Sequence, residues 1–200
     1  NSRIMISGPS GAGKELAARA IHRLSGRANG PFVVLNAATI TPDRMEVELF
    51  GTEGEGIARR VGALEEAHGG TLYLDEVADM PRETQGKILR VLIDQAFQRV
   101  GGTTKVQVDV RIISSTARDL EREIGEGTFR EDLFHRLSVV PLRVPALAER
   151  REDIPALVQH FAEHISRTTG LPMRPIGEDA LAVLQAHDWP GNIRQLRNNI

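Results

Sequence analysis

Apolar positions along the chain alternate between short continuous runs and stripes at helical spacing. Ile4 to Ser7 is a brief run that meets a glycine-rich turn, and an alanine- and leucine-rich helix begins at once. Val33, Val34 and Leu35 predict a second buried strand ending at Asn36. Thr41 as cap, Pro42 at the first helical position and Met45, Leu49 and Phe50 on one face predict the next helix. Gly51 to Val61 has three glycines, several charges and little apolar content, so it reads as an exposed loop. Thr71 to Leu74 is a third strand running straight into Asp75 and Glu76, and Pro81 to Phe97 carries Ile88, Leu89, Leu92 and Ile93 at helical spacing. A polar hairpin turning at Gly101 and Gly102 follows. Then come a strand over 110–114, short helices over 120–124 and 129–137, and a strand over 139–142. Buried strands alternating with helices predict an α/β fold, a parallel sheet flanked by helices. Past Pro145 the pattern becomes helical alone, over 152–169, 177–187 and from Pro190 onward. The expected division is therefore an α/β subdomain over 1–147 and a small helical subdomain over 148–200.

Composition narrows the function classes. The chain has 200 residues, a formal charge of -2 and no cysteine. The near-neutral balance gives no broad basic footprint for nucleic acid or membrane, and the lack of thiols removes disulfides and thiolate zinc sites. With no apolar run of about 18 residues, a cytoplasmic home without membrane association is expected. The chain opens on Asn1 and stops at Ile200 inside a helical pattern, which reads as a piece of something longer.

Chemistry concentrates at the first turn. Gly8, Pro9, Ser10, Gly11, Ala12, Gly13 and Lys14 fit G-x-x-x-x-G-K, the phosphate-binding loop. Its glycines let backbone N–H groups converge on phosphate oxygens at a helix N-terminus, and the lysine reaches the outer phosphates. Glu15 stands where Ser or Thr usually binds Mg²⁺; its carboxylate either holds the ion or is a surface residue favoured by the helix dipole. Asp75 closes an apolar strand, where a nucleotide enzyme places its Mg²⁺ ligand, and the adjacent Glu76 is suited to orient a water for attack on the γ-phosphate. Arg130, Arg136 and Arg194 are candidates for stabilising developing charge, although arginines on helices are usually surface residues. His160 and His164 in HFAEH match a zinc-protease pattern but lack a further ligand, and a polar helix face accounts for them better.

GPSGAGKELAARAIH, LNAATI, ELFG, GGTLYLDEV, GTFREDLFHRL, ERREDI and WPGNIRQLRN occur here in one order. Over nearly its whole length the chain thus resembles the bacterial enhancer-binding AAA+ ATPases, activators of sigma-54 RNA polymerase. Within them it is most similar to nitrogen-related two-component response regulators. The resemblance implies an AAA+ P-loop NTPase fold, an α/β nucleotide-binding subdomain with a helical lid, ATP and Mg²⁺ as cofactors, and assembly as a homo-oligomer, dimer or ring. It implies that residues 8–15 wrap the phosphates, Asp75 holds Mg²⁺ and Glu76 positions water. It further implies that Asn36 switches Glu76 between poses, Arg130 and Arg136 reach a neighbour's nucleotide, and Arg194 senses nucleotide from the lid.

Two departures modify that expectation. The family's sigma-contacting G-A-F-T-G-A motif is missing from ELFGTEGEGIARRVGALEEAHGG, where the loop is also several residues shorter. In SSTARDL, Ala117 stands where the family has asparagine, so slow hydrolysis is expected even with ATP bound. The expectation is an ATP-binding regulator domain whose nucleotide controls self-association, with weak ATP hydrolysis. Direct sigma-54 remodelling is doubtful, and DNA is reached only through a region outside this chain. A full sigma-54 activator and a structural dimerisation module are the competing expectations.

Overall fold

The computed structural model describes residues 2–200. In chain order the elements are β1 (Ile4–Ser7), α1 (Lys14–Arg23), β2 (Phe32–Asn36), α2 (Pro42–Phe50), β3 (Thr52–Gly54), β4 (Ile57–Arg60), α3 (Ala63–Glu66), β5 (Thr71–Asp75) and α4 (Arg82–Asp94). They continue as β6 (Ala96–Gln98), β7 (Lys105–Gln107), β8 (Arg111–Thr116), α5 (Leu120–Gly125), α6 (Glu131–Leu137), β9 (Val140–Arg143), α7 (Ile154–Thr169), α8 (Glu178–Ala186) and α9 (Asn192–Asn198).

Contacts divide the chain into two compact units: Lys14–Arg143 with the residues up to Ser7, and Gly8–Gly13 with Val144–Ile200. The first unit holds a five-stranded parallel sheet ordered β2-β5-β8-β1-β9. Its central strands explain the apolar runs: the first four residues of β5 and all six of β8 are buried, as strands covered on both faces must be. Leu72, Leu74 and Ile112 of these strands join Met45, Leu49, Ile88, Leu92 and Leu133 of the helices in one apolar core. At one sheet edge, the Val140 N–H donates to the Arg3 carbonyl at 3.1 Å and Pro141 follows it. The second unit has its own small core of Leu147, Ile154, Val158, Trp189 and Leu196.

The exposed loop expected over Gly51 to Val61 is instead an antiparallel hairpin, β3 paired with β4. Its strands have no buried face, so no alternating pattern marks them in sequence. Neighbouring backbone supplies the order. Glu53 N–H donates to Val100 O and Val100 N–H to Gly51 O, both at 3.0 Å, while Arg99 reaches the Glu53 carboxylate at 3.0 Å. Arg99 is also forked onto Glu65 at 2.7 and 2.8 Å. Gly51 turns the chain at φ 75°, where a Cβ would meet Arg60 O at 2.1 Å. Helix α4 stops at Asp94 rather than Phe97, because Gln95 adopts a left-handed conformation and Ala96 starts the second hairpin. Thr41 occupies the cap position of α2, but its hydroxyl makes no capping bond.

Candidate nucleotide site

In an open α/β sheet, ligands bind beyond the carboxyl ends of the strands. Ser7 of β1 is in register with Thr116 of β8, Leu74 of β5 with Ser114, and Asn36 of β2 with Asp75. The predicted acids and Asn36 thus end their strands level with the point where β1 gives way to the phosphate loop. Lys14 is buried, and its Nζ lies 3.4 Å from Glu76 Oε1.

Glu76 has φ 54° and ψ 56°, a left-handed conformation that costs a non-glycine residue about 1–3 kcal/mol and concentrates at functional sites. Its second carboxylate oxygen accepts the Ala117 N–H at 3.1 Å. Ala117, expected to contribute nothing through its side chain, therefore acts through its backbone. Asn36 Oδ1 accepts the Ala38 N–H at 2.9 Å.

Asp75 Oδ1 accepts the Ser115 hydroxyl at 2.5 Å and the Tyr73 hydroxyl at 3.3 Å. Burial pushes the Tyr73 phenol well above its ordinary range, which keeps it a protonated donor. Among the described residues no group of three or more His, Cys, Asp or Glu is placed to hold a metal ion, and HFAEH lies on α7. One carboxylate with both hydroxyl donors on Oδ1 fits Mg²⁺ instead, which takes one or two carboxylates and completes its shell with phosphate oxygens and water. Glu15 is less suited, because Arg19 forks onto its Oε1 at 2.9 and 2.7 Å.

The phosphate loop is organised by the second unit. Asn192 Nδ2 donates to Ser10 O at 3.0 Å, Arg194 N–H to Gly11 O at 3.2 Å and Arg150 to Ala12 O at 2.7 Å. A trans peptide points its N–H opposite to its carbonyl. Each tied carbonyl therefore turns the N–H of the following residue away from that carbonyl's partner, at Gly11 and Gly13 as at Ala12, whose N–H donates to Pro9 O at 3.3 Å. Gly11 has φ 78°, and a Cβ there would meet Gly191 O at 2.4 Å. The Arg194 guanidinium lies 3.4 Å from Ser10 Oγ. Asn192 and Arg150 were not singled out from sequence, although both lie within quoted motifs.

The remaining arginines stand elsewhere. Arg130 pairs with Asp132 through its Nε and one terminal guanidinium nitrogen at 3.0 and 2.8 Å, and its backbone N–H donates to Gln85 Oε1 at 2.9 Å. Arg136, on α6, is exposed. A surface cavity of about 500 Å³ lined by Phe50, Lys87, Phe97, Arg99 and Lys105 includes none of the predicted site residues. No helix among the described residues is long and apolar enough to cross a membrane.

Comparison with known proteins identifies the family. Residues 1–143 match the family described as the Sigma-54 interaction domain, and residues 148–200 the AAA+ ATPase lid domain. The nitrogen assimilation regulatory protein NtrX of Azorhizobium caulinodans is 71% identical over all of this chain and 44% of its own length. The DNA-binding transcriptional regulator NtrC of Salmonella typhimurium is 50% identical over 98% of the chain and 42% of its length. Crystal structures of Brucella abortus NtrX with ADP and with ATP, each 75% identical, superpose with TM-scores of 0.94 and 0.93. Each covers 99% of this chain, which spans 44% and 46% of those proteins. The α/β architecture, the helical lid and the resemblance carried by the motifs are thereby established: the chain belongs to the sigma-54 interaction domain family of AAA+ ATPases, with its lid domain attached.

Proposed function

We propose that this chain binds ATP with Mg²⁺ as the central domain of a nitrogen-related two-component transcription regulator in the cytoplasm. In this role nucleotide controls its self-association. The observation that carries it is the Lys14–Glu76 pair, which brings the motif lysine to the acid beyond β5. The ADP and ATP complexes of the Brucella protein lend support. Gly8 to Gly13 would receive the phosphates through backbone N–H groups, Lys14 would neutralise the outer phosphates, and Asp75 would hold Mg²⁺ with Glu15 as a lesser contributor. Mg²⁺ held there would supply positive charge that neutralises the phosphates. Glu76 would accept a proton from, or orient, the attacking water, with its second carboxylate oxygen held by the Ala117 N–H. Arg194 would report nucleotide from the lid, Asn36 would influence Glu76, and Arg130 and Arg136 would act on a neighbouring copy. Hydrolysis is accordingly weak and dependent on assembly. DNA is contacted through another part of the protein.

Calorimetric titration with ATP tests the site. Lys14→Ala should lose at least about tenfold in affinity; equal binding by variant and wild type would refute the assignment. Phosphate release per subunit should rise with protein concentration.

A second reading, a full ATP-driven activator of sigma-54 polymerase, is favoured by the hairpin β3–β4, which persists where the family carries its sigma loop. Robust open-complex formation in a purified transcription assay would select it over controlled self-association.

A further inference from the structure

Strand β8 changes character midway. Ile112 and Ile113 are followed by Ser114, Ser115 and Thr116, all buried. A hydroxyl in such a place costs stability unless it is hydrogen-bonded. Successive side chains of a strand point to opposite faces, and the two serines have opposite fates. Ser114 Oγ has no partner among the described residues. Ser115 Oγ is used twice: it donates to Asp75 Oδ1 at 2.5 Å and accepts the Glu76 N–H at 3.4 Å.

The register explains why Ser115 alone can do this. Leu74 is level with Ser114, so one residue further Ser115 stands beside Asp75. Tyr73, two residues before Asp75, shares its face of β5 and sends a second hydroxyl to the same oxygen at 3.3 Å. Both donors on Asp75 thus fall on Oδ1, which fixes the rotation of the carboxylate and directs Oδ2 away from them. The same Oγ steadies the left-handed residue that follows. One serine thereby sets the orientation of the metal-binding acid and of the water-positioning acid together.

We propose that Ser115, assisted by Tyr73, is a positioning residue that presents Asp75 to the Mg²⁺ of bound nucleotide and couples it to Glu76. This rests on the nucleotide reading above. Its expected signature is a change in how the protein uses Mg²⁺, with nucleotide binding otherwise preserved.

The test titrates Mg²⁺ against purified protein holding a non-hydrolysable ATP analogue, and separately measures affinity for that analogue in EDTA. In Ser115→Ala, affinity in EDTA should stay within about twofold of wild type, whereas the apparent Mg²⁺ constant weakens about tenfold. Tyr73→Phe, which removes one hydroxyl at unchanged packing, should move the Mg²⁺ constant in the same direction by a smaller factor. A folded Ser115→Ala protein with a wild-type Mg²⁺ constant would overturn the proposal. If that variant does not fold, an unchanged constant in Tyr73→Phe would overturn it instead. Lys14→Ala separates the two levels: loss of analogue binding there with normal Mg²⁺ dependence in Ser115→Ala sinks this inference alone. Undiminished binding in Lys14→Ala sinks the nucleotide reading and this inference with it.

Discussion

Replacing Asn192 by alanine should unsettle the lid unit and the phosphate loop together. Its side chain is buried; Oδ1 accepts the Leu147 N–H at 2.8 Å, and Nδ2 donates to Ser10 O at 3.0 Å and to Pro190 O at 3.4 Å. Truncation leaves a buried N–H unpaired beside Leu147, a loss of about 1–3 kcal/mol. Alanine must also hold φ 54°, which asparagine tolerates better by about 1 kcal/mol. The two together give about 3 kcal/mol. Urea denaturation followed by tryptophan emission reads this directly, because Trp189 is the sole tryptophan and lies in the small core that contains Leu147. Asn192→Gly removes the backbone cost but not the missing amide, so it should recover about 1 kcal/mol of the loss. Asn192→Asp keeps an acceptor for Leu147 but turns a donor against Ser10 into a repelling oxygen. An alanine variant within about 0.5 kcal/mol of wild type would refute this account of the loop's anchor.

Arg99→Met should lower the melting temperature by about 8 °C, because Glu65 and Glu53 are left partly buried without their shared cation, at a cost of about 3 kcal/mol. A shift below about 1 °C by calorimetry would show that the hairpin needs no such clasp. Hydrogen bonds from Arg130 hold the Asp132 carboxyl below its usual range despite some opposing desolvation. That contribution is present above the ordinary carboxylate range and is lost as pH falls through the depressed folded value. Asp132→Asn should therefore flatten the acid limb of a melting-temperature profile below about pH 4, and high salt should shrink the difference, since the pair is exposed. An unchanged slope would contradict it.

What could be read from sequence was what is local or densely patterned. The run TLYL announced a strand covered on both faces, and the spacing from Gly8 to Lys14 announced a phosphate loop, because each property belongs to consecutive residues. The hairpin β3–β4 was invisible, since its order comes from Val100 and Arg99, more than 40 residues away, rather than from a pattern of its own. Ala117 was judged by its methyl group, yet it contributes an N–H that every residue but proline possesses. Asn192 sat inside a motif quoted for Arg194; nothing in its neighbours reveals a carbonyl partner 182 positions earlier. Ser115 looked like one polar residue among several, and only the register of β5 against β8 separates it from Ser114.

Pro141 has a consequence beyond its own strand. Val140 spends its N–H inward on Arg3, so by alternation the next residue turns its backbone toward the open margin of the sheet, and there proline has no hydrogen to give. A foreign strand approaching that margin would meet an acceptor with no donor beside it, and a continuous ladder could not propagate. That margin therefore cannot zip two copies of the domain into one shared sheet.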